Sequence, residues 1–277
     1  MYPPITYLSD CTDTNAQARL STRMAALFGR SPVLLPLDGP APEQTAGLTL
    51  LDVLLATRSL GEDGFPTVTL VNVAPRDGTW ENGAPFCWFR LGPHTVFSTY
   101  DSRLLAMVRT HLDVTQVEVT DARTVLGAAT AWADLSRAEA DAVATTQFRS
   151  LWYLPLLAKW VLDGHPVPAT TTRVPAVPEA TKVRVGLVDN FGNCKLTATA
   201  EAVGFEPGSR LAVSFSRAGE DLGSHKVRCY ERLAEVPAGE AGLVVGSSGS
   251  GFVELVVGCG SAAHHFGVVD GTDVEFP

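Results

Sequence analysis

The sequence has no basic patch. Its 277 residues carry 21 Lys and Arg against 30 Asp and Glu, a formal net charge of −9, and the cations nowhere gather into a run. Nucleic acid and anionic membrane surfaces are bound through clustered positive charge, so neither is an expected partner. There is no C-x-x-C pair either: Cys11, Cys87, Cys194, Cys229 and Cys259 stand singly. That argues against a zinc ribbon and for reduced thiols in a cytoplasmic protein. No apolar run reaches membrane-spanning length, and Met1-Tyr2-Pro3-Pro4 does not open a basic region leading into an apolar one. Internal repeats and low-complexity tracts are also lacking. What is present is a chain 45% hydrophobic and 18% charged, the composition of a folded protein, long enough for one large domain or two ordinary ones.

Taken in order, the first half alternates strands and helices. Ile5-Thr6-Tyr7-Leu8 reads as a strand running into the polar loop Ser9 to Asn15. Leu20, Met24 and Leu27 then recur at helical spacing, with Asn15 as the expected cap and Gly29 as the stop. Val33 to Leu37 is expected as a second buried strand, Leu48, Leu51 and Leu55 mark a second helix, and Val68 to Val73 a third strand. Phe86 to Leu91 and Thr95 to Ser98 suggest a hairpin. Helical propensity returns over Ser136 to Ala144 and Phe148 to Leu162, with a break predicted at Pro155. Such alternation indicates an α/β layer on a largely parallel sheet, whose ligands bind at the carboxyl ends of strands. The loops after Leu8 and Val73 are at such ends.

From His165 to Pro178 the composition shifts to Pro, Thr and Val. The expected organisation is an α/β domain over 1–165, an extended linker over 166–181 and an all-β domain over 182–277. In the last, seven short period-two runs between Val183 and Phe276 are punctuated by Gly and Pro, as in a barrel or a sandwich.

Val188-Asp189-Asn190-Phe191-Gly192-Asn193 is the most chemically loaded stretch, following a strand directly. Asp189 offers an anion for an ammonium or for backbone donors, Phe191 a face for stacking, and Asn193 a group that both donates and accepts. A ligand part cation and part aromatic heterocycle would suit the set; a polar turn is the plainer alternative.

Together with two other landmarks, the stretch resembles the S-adenosylmethionine (SAM) hydroxide adenosyltransferase family, which includes the fluorinase and chlorinase enzymes. Ile5-Thr6-Tyr7-Leu8-Ser9-Asp10 is similar to the family's I-T-x-x-[ST]-D, and Asp189-x-Phe191-Gly192-Asn193 to its D-x-F-G-N. Ser250-Gly251-Phe252-Val253-Glu254-Leu255 leading to Gly260-Ser261-Ala262-Ala263 is similar to S-x-G-x-L-E-I and G-S-A-A. The resemblance implies an N-terminal α/β domain, a C-terminal β-barrel and a homotrimer with ligand sites between subunits. By position it gives Asp10 the ribose hydroxyls, Phe191 the adenine face, Asn193 the adenine edge and Asp189 the methionine ammonium. The backbone of Cys259, Gly260 and Ser261 would also approach the adenine. Ser250 lies in a Gly-Ser loop read as a hairpin that contacts the methionine carboxylate.

Members of the family that hydrolyse SAM use an Asp-Arg-His set to hold the attacking water. Here Ala74 stands at the Asp position, Gln147 or Phe148 at or near the His position, and Trp80-Glu81-Asn82 where an Arg is expected. Arg76, Asp77 and Thr79 of the same loop are the remaining catalytic candidates, with Ser98 and Thr99 as further hydroxyls. The implied function is SAM hydrolysis by water attack at the ribose C5′ carbon, without metal or redox cofactor. The alternatives are an inactive SAM- or adenosine-binding protein, or the same scaffold acting on another nucleoside substrate or nucleophile. His264-His265 is expected on a strand or loop, its rings pointing apart, and not as a metal site.

Overall fold

The computed structural model describes residues 1–39, 41–57, 64–74, 83–177 and 182–277, which divide into two compact units: Met1–Asp38 with Ser59–Ala176, and Gly39–Arg58 with Val177–Pro277. Strand β1 (Ile5–Ser9) leads through a polar loop into α1 (Thr14–Phe28), which returns the chain to β2 (Val33–Pro36). Helix α2 (Pro42–Ala56) packs in the second unit. The first unit resumes with β3 (Val68–Asn72), the hairpin β4 (Phe86–Leu91) and β5 (His94–Thr99), α3 (Ser102–Leu112) and β6 (Gln116–Thr120). Helices α4 (Ala122–Ala129), α5 (Arg137–Thr145), α6 (Arg149–Trp152) and α7 (Leu154–Leu162) precede β7 (Thr170–Arg173).

The sheet of this unit runs β2-β1-β3-β5-β4-β6-β7. β2, β1, β3 and β5 are mutually parallel; β4, β6 and β7 complete it antiparallel. The α/β reading therefore holds, as a mixed sheet with a parallel half. β2 is an edge strand with Val33 61% exposed, not the buried strand its apolar run suggested, because only β1 pairs with it. The α1 cap is Asp13, whose extended backbone aims its carboxylate at Ala16 N (2.9 Å); Asn15 is already inside the first turn. Pro155 falls in the first turn of α7, where its missing N–H costs nothing, and the long helix breaks there into α6 and α7 as predicted. Within the segment 166–181 lies β7, which pairs with β6; 178–181 lie outside the described residues.

Burial of large side chains fixes where α6 sits. Tyr7 on β1 is fully buried among Leu20, Met24, Phe97 and Leu157, and its hydroxyl donates to Ser150 O at 2.6 Å. That bond satisfies a buried polar group and ties the start of α6 to the first strand. Tyr153 repeats the device, with its hydroxyl on Thr120 Oγ1 (3.3 Å).

In the second unit, β8 (Val185–Val188), β9 (Cys194–Thr199), β10 (Arg210–Arg217), β11 (Glu220–Cys229), β12 (Ala241–Val245), β13 (Phe252–Val257) and β14 (Asp273–Glu275) form one sheet. Its order is β14-β10-β11-β12-β13-β9-β8. Backbone bonds from Val185 N to Thr272 O and from Val274 N to Val183 O, both 2.9 Å, bring its two edges together, so the sheet is a nearly closed barrel. The Arg184–Asp273 ion pair (2.7 Å) reinforces that seam. Phe215, Leu243, Val253 and Leu255 fill the interior.

A short helix, α8 (Ala262–Phe266), follows β13. It carries His264 and His265, corrected here from a strand or loop to a helix. Ser261 explains it, since its hydroxyl accepts from His264 N at 3.1 Å and caps the turn. Helix α2 is held to the barrel by Lys195 Nζ on β9, 2.6 Å from Asp52 Oδ2; the other Asp52 oxygen is buried with no partner among the described residues. Removing the cation from this mostly buried pair leaves an uncompensated carboxylate. Lys195→Ala should therefore cost roughly 2 kcal/mol or more of unfolding free energy in urea titration; an unchanged midpoint would show that the pair does not hold the helix.

Candidate functional site

Unit one gathers its polar groups where the parallel strands end. Asp10 follows β1, Asn72 ends β3 and Thr99 ends β5. The Asp10 carboxylate is oriented by the neighbouring strand: Oδ1 accepts from Asn72 Nδ2 (3.0 Å) and Oδ2 from Ala74 N (2.9 Å). Asp10 N in turn donates to Asn72 O at 3.2 Å. The Cys11 thiol also donates to Oδ1, at 3.9 Å; each carboxylate oxygen takes about two hydrogen bonds, so Oδ2 keeps an open acceptor position and Oδ1 holds only a weak thiol donor in its second. Beside it, burial and then the Asp10 charge push the Cys11 thiol upward, so it stays protonated at neutral pH.

A cavity of about 300 Å³ opens at this strand end, lined by Cys11, Asn72, Ala74, Thr99, Gln147 and Arg149 among others. Thr99 is already engaged: its hydroxyl donates to Val73 O and accepts from Val73 N, both at 3.1 Å. Ser98 is fully buried and donates to Thr99 O (3.0 Å), which removes it as a hydroxyl for the nucleophile. Arg149 places its guanidinium over the Phe86 ring (5.4 Å) and one Nη donates to Ala84 O (2.6 Å). Burial lowers its pKa somewhat. Arg76, Asp77 and Thr79 lie outside the described residues.

In unit two the predicted cluster is a closed turn. Asp189 Oδ1 accepts from Phe191 N and Asn193 N (2.8 Å each), and Oδ2 from Asn193 Nδ2 (2.9 Å). Asp189 N also donates to Asn193 O (2.9 Å). The carboxylate thus shapes its own loop, and Asn193 leans on it. Gly192, at φ +82°, presses against Ser261, leaving no room for a Cβ, and its carbonyl accepts from Ala263 N at 2.9 Å. With the turn pinned to Ser261, the Phe191 ring is left 72% exposed. Cys259, exposed at φ +54°, and Gly260 lead directly into Ser261. The structure therefore brings Asp189, Phe191, Asn193, Gly260 and Ser261 together. Ser250 is elsewhere: Leu255 pairs with Cys194 and Phe252 with Thr199, which sets Ser250 at the far end of β9 from the turn. Its hydroxyl meets that of Ser248 (2.9 Å).

Residues 183–275 match the family model of the SAM hydroxide adenosyltransferase C-terminal domain. The chain carries that domain. The resemblance carried by the D-x-F-G-N and G-S-A-A motifs is thereby borne out. An uncharacterized conserved protein from Thermotoga maritima is similar in structure over 98% of both chains (TM-score 0.69, 16% identity). So is a conserved hypothetical protein from Thermus thermophilus, over 100% of both chains (TM-score 0.59, 19% identity). At such identities these likenesses show the fold alone. No curated protein matches the chain.

Sequence reading did not single out Asn72, Arg149, Glu254 or Lys195. Asn72 had a signal, an amide at the end of a strand of β-branched residues; the others acquire their surroundings only in the fold. Around the Asp189–Asn193 turn the field is acidic. Burial raises the pKa of Glu254, with Lys195 opposing and Asp189 and Asp52 adding to the rise. Burial likewise raises Asp270, against the Val188 N–H it accepts. The Cys194 thiol is pushed to about 12 by burial, Asp270 and Asp189. A carboxyl whose folded pKa exceeds its unfolded value gives stability that is full below the unfolded pKa and lost as pH rises through the folded one. Glu254→Gln should thus match or exceed wild type in melting temperature at pH 7. The advantage should vanish below about pH 4, where both forms are neutral; a variant less stable at pH 7 than at pH 4, relative to wild type, contradicts this.

Proposed function

We propose that the protein binds SAM and transfers its adenosyl group to a small nucleophile; with water, the products are adenosine and methionine. The observation that carries the reading is the turn of the matched domain, with an exposed Phe191 ring next to Gly192, which is packed against Ser261. An adenine stacked on Phe191 would meet the Ser261 backbone and the free acceptor of Asn193. The surrounding carboxylates favour a cation, and SAM brings both an ammonium and a sulfonium. Since Asp189 is occupied by its own turn, it acts on the ammonium through its charge and one remaining acceptor position. The oriented Asp10 carboxylate suits the cis-diol of a ribose. In a homotrimer, the Asp10 end of one subunit would complete the turn of its neighbour; Arg76, Asp77 and Thr79, outside the described residues, remain the catalytic candidates of the hydrolytic reading.

A second reading, binding without turnover, is favoured by Ala74 at the position of the hydrolases' Asp. Among the described residues lining the cavity there is neither carboxylate nor imidazole. Among the described residues, also, no helix is long and apolar enough to cross a membrane and no group of His, Cys, Asp and Glu could hold a metal ion.

Incubation of the purified protein with SAM, followed by chromatography, should yield adenosine, while calorimetry records SAM binding. Binding without product selects the second reading; no binding of SAM or adenosine ends both. Asp10→Ala, checked for folding by circular dichroism, should weaken adenosine binding by about 100-fold or more, the value of two hydrogen bonds to a charged group. Unchanged affinity would remove Asp10 from the site.

A further inference from the structure

The cavity at the end of β1 and β3 has the wrong charge for activating water and the right charge for holding an anion. A hydroxide must be made from water by a base, and the described lining offers none: Cys11 is held protonated, and the remaining polar groups are the neutral side chains of Asn72, Thr99, Gln147 and Ser150. Among the described lining residues the one formal charge is the Arg149 guanidinium; the Asp10 carboxylate, hydrogen-bonded to Asn72 Nδ2 and Ala74 N, is not one of them. The guanidinium has no carboxylate in ion-pair contact among the described residues. Asp121 acts on it only at a distance, as does Tyr153, and Asp121 is spent capping α4 through Thr124 N at 2.8 Å. A guanidinium has five N–H donors, and among the described residues Arg149 gives a single hydrogen bond, to Ala84 O.

Its position is fixed from three sides. The Phe86 ring lies under it, the Ala84 carbonyl takes one Nη, and the Tyr7–Ser150 bond anchors the next residue. Gly83, at φ +73°, makes room for it: a Cβ there would be 2.5 Å from Nη2. A half-buried, pre-oriented arginine with unspent donors facing a cavity matches a planar or tetrahedral oxyanion, which its forked donors bind in pairs.

We infer that Arg149 anchors a small oxyanion in this cavity and that this anion is the nucleophile of adenosyl transfer. The inference rests on the SAM reading given above and names its co-substrate. The bond changes balance without a base. An oxygen of the anion bonds to the ribose C5′ carbon, the carbon–sulfur bond breaks, and its electron pair leaves on sulfur, turning the sulfonium into the thioether of methionine. No proton moves, which is why Ala74 and Gln147 can stand where a hydrolase needs Asp and His. With inorganic phosphate the products are adenosine 5′-phosphate and methionine.

The test uses the full chain and inorganic phosphate, with chloride at equal ionic strength as the control. Calorimetry should show phosphate binding that weakens about ten-fold or more in Arg149→Gln, the loss of one charge-assisted pair of hydrogen bonds. SAM affinity should change by less than that. With SAM and phosphate together, mass spectrometry should find adenosine 5′-phosphate in wild type and a comparable drop in the variant. Arg149→Lys, which keeps the charge and loses the fork, should bind phosphate more weakly than wild type. It also serves if the Gln variant does not fold, and a Lys variant binding as tightly as wild type overturns the proposal. So does adenosine as sole product at a rate indifferent to phosphate, or chloride acting as well as phosphate. Failure of folded wild type to bind phosphate removes the anion site whatever SAM does. Arg149-dependent phosphate binding without SAM binding retains the anion site and rejects SAM as its partner.

Discussion

The Asp189 carboxylate closes its own turn, and the chemistry of the barrel unit depends on that closure. Three donors from Phe191 and Asn193 converge on it, and the same turn holds Gly192 in the left-handed region against Ser261. A side chain at 192 would push the two loops apart. The arrangement also leaves a large aromatic ring in water, a cost of about 2 kcal/mol relative to burying it. A fold that packs Phe215 and Phe252 completely has no packing reason to leave Phe191 out. An exposed ring on a rigid mount is the expected form of a stacking platform, rigid so that little entropy is lost when a ligand arrives.

The strand-end half obeys the same principle with different groups. A carboxylate at the end of a parallel strand would ordinarily swing between solvent and its neighbours. Asp10 does not, because Asn72 and the Ala74 amide each fix one oxygen. Asn72 is itself buried and in register beside Ser9, so the orientation is inherited from β1–β3 pairing. Orientation that costs nothing at the moment of binding is what makes a charged acceptor selective for a diol over water.

Period and punctuation made most of the scaffold legible. The parallel half-sheet, the hairpin at Gly92, the helix broken at Pro155 and the seven barrel strands all follow from local pattern, since the period of apolar residues and the turn residues mark each element whatever its partners. The failures have a common cause in pairing that local pattern cannot report. Val33 looked buried because its neighbours are apolar, yet whether a strand is central or an edge is decided by partners far along the chain. Thr170–Arg173 looked like linker because its side chains are polar, yet β6 supplies its backbone partners. For the site, motif order was informative about Asp10 and the 189–193 turn, but not about what each side chain does there. Asp189 reads as a free anion in sequence and is a brace in structure. Arg149 looks like any helix-start arginine until Tyr7, Phe86 and Ala84 fix it at a cavity.

Charge bears on the proposed chemistry in one more way. A sulfonium loses its positive charge as its carbon–sulfur bond breaks, so carboxylates near it stabilise the bound substrate more than the transition state. In the proposed chemistry the acidic surroundings of the turn would therefore help SAM bind and would not speed its reaction. Arg149 has the mirror-image effect on an anion, whose charge is also spent in attack. Neither charged half accelerates the step by charge alone. Two ions that annihilate each other's charge react faster once water is excluded and their approach is fixed, since the hydration that protects each is gone. A site of this type works by dry confinement and alignment, and rigid mounts for Asp10, Phe191 and Arg149 are what alignment demands. A general base is the component such a mechanism can lose without losing its main source of rate.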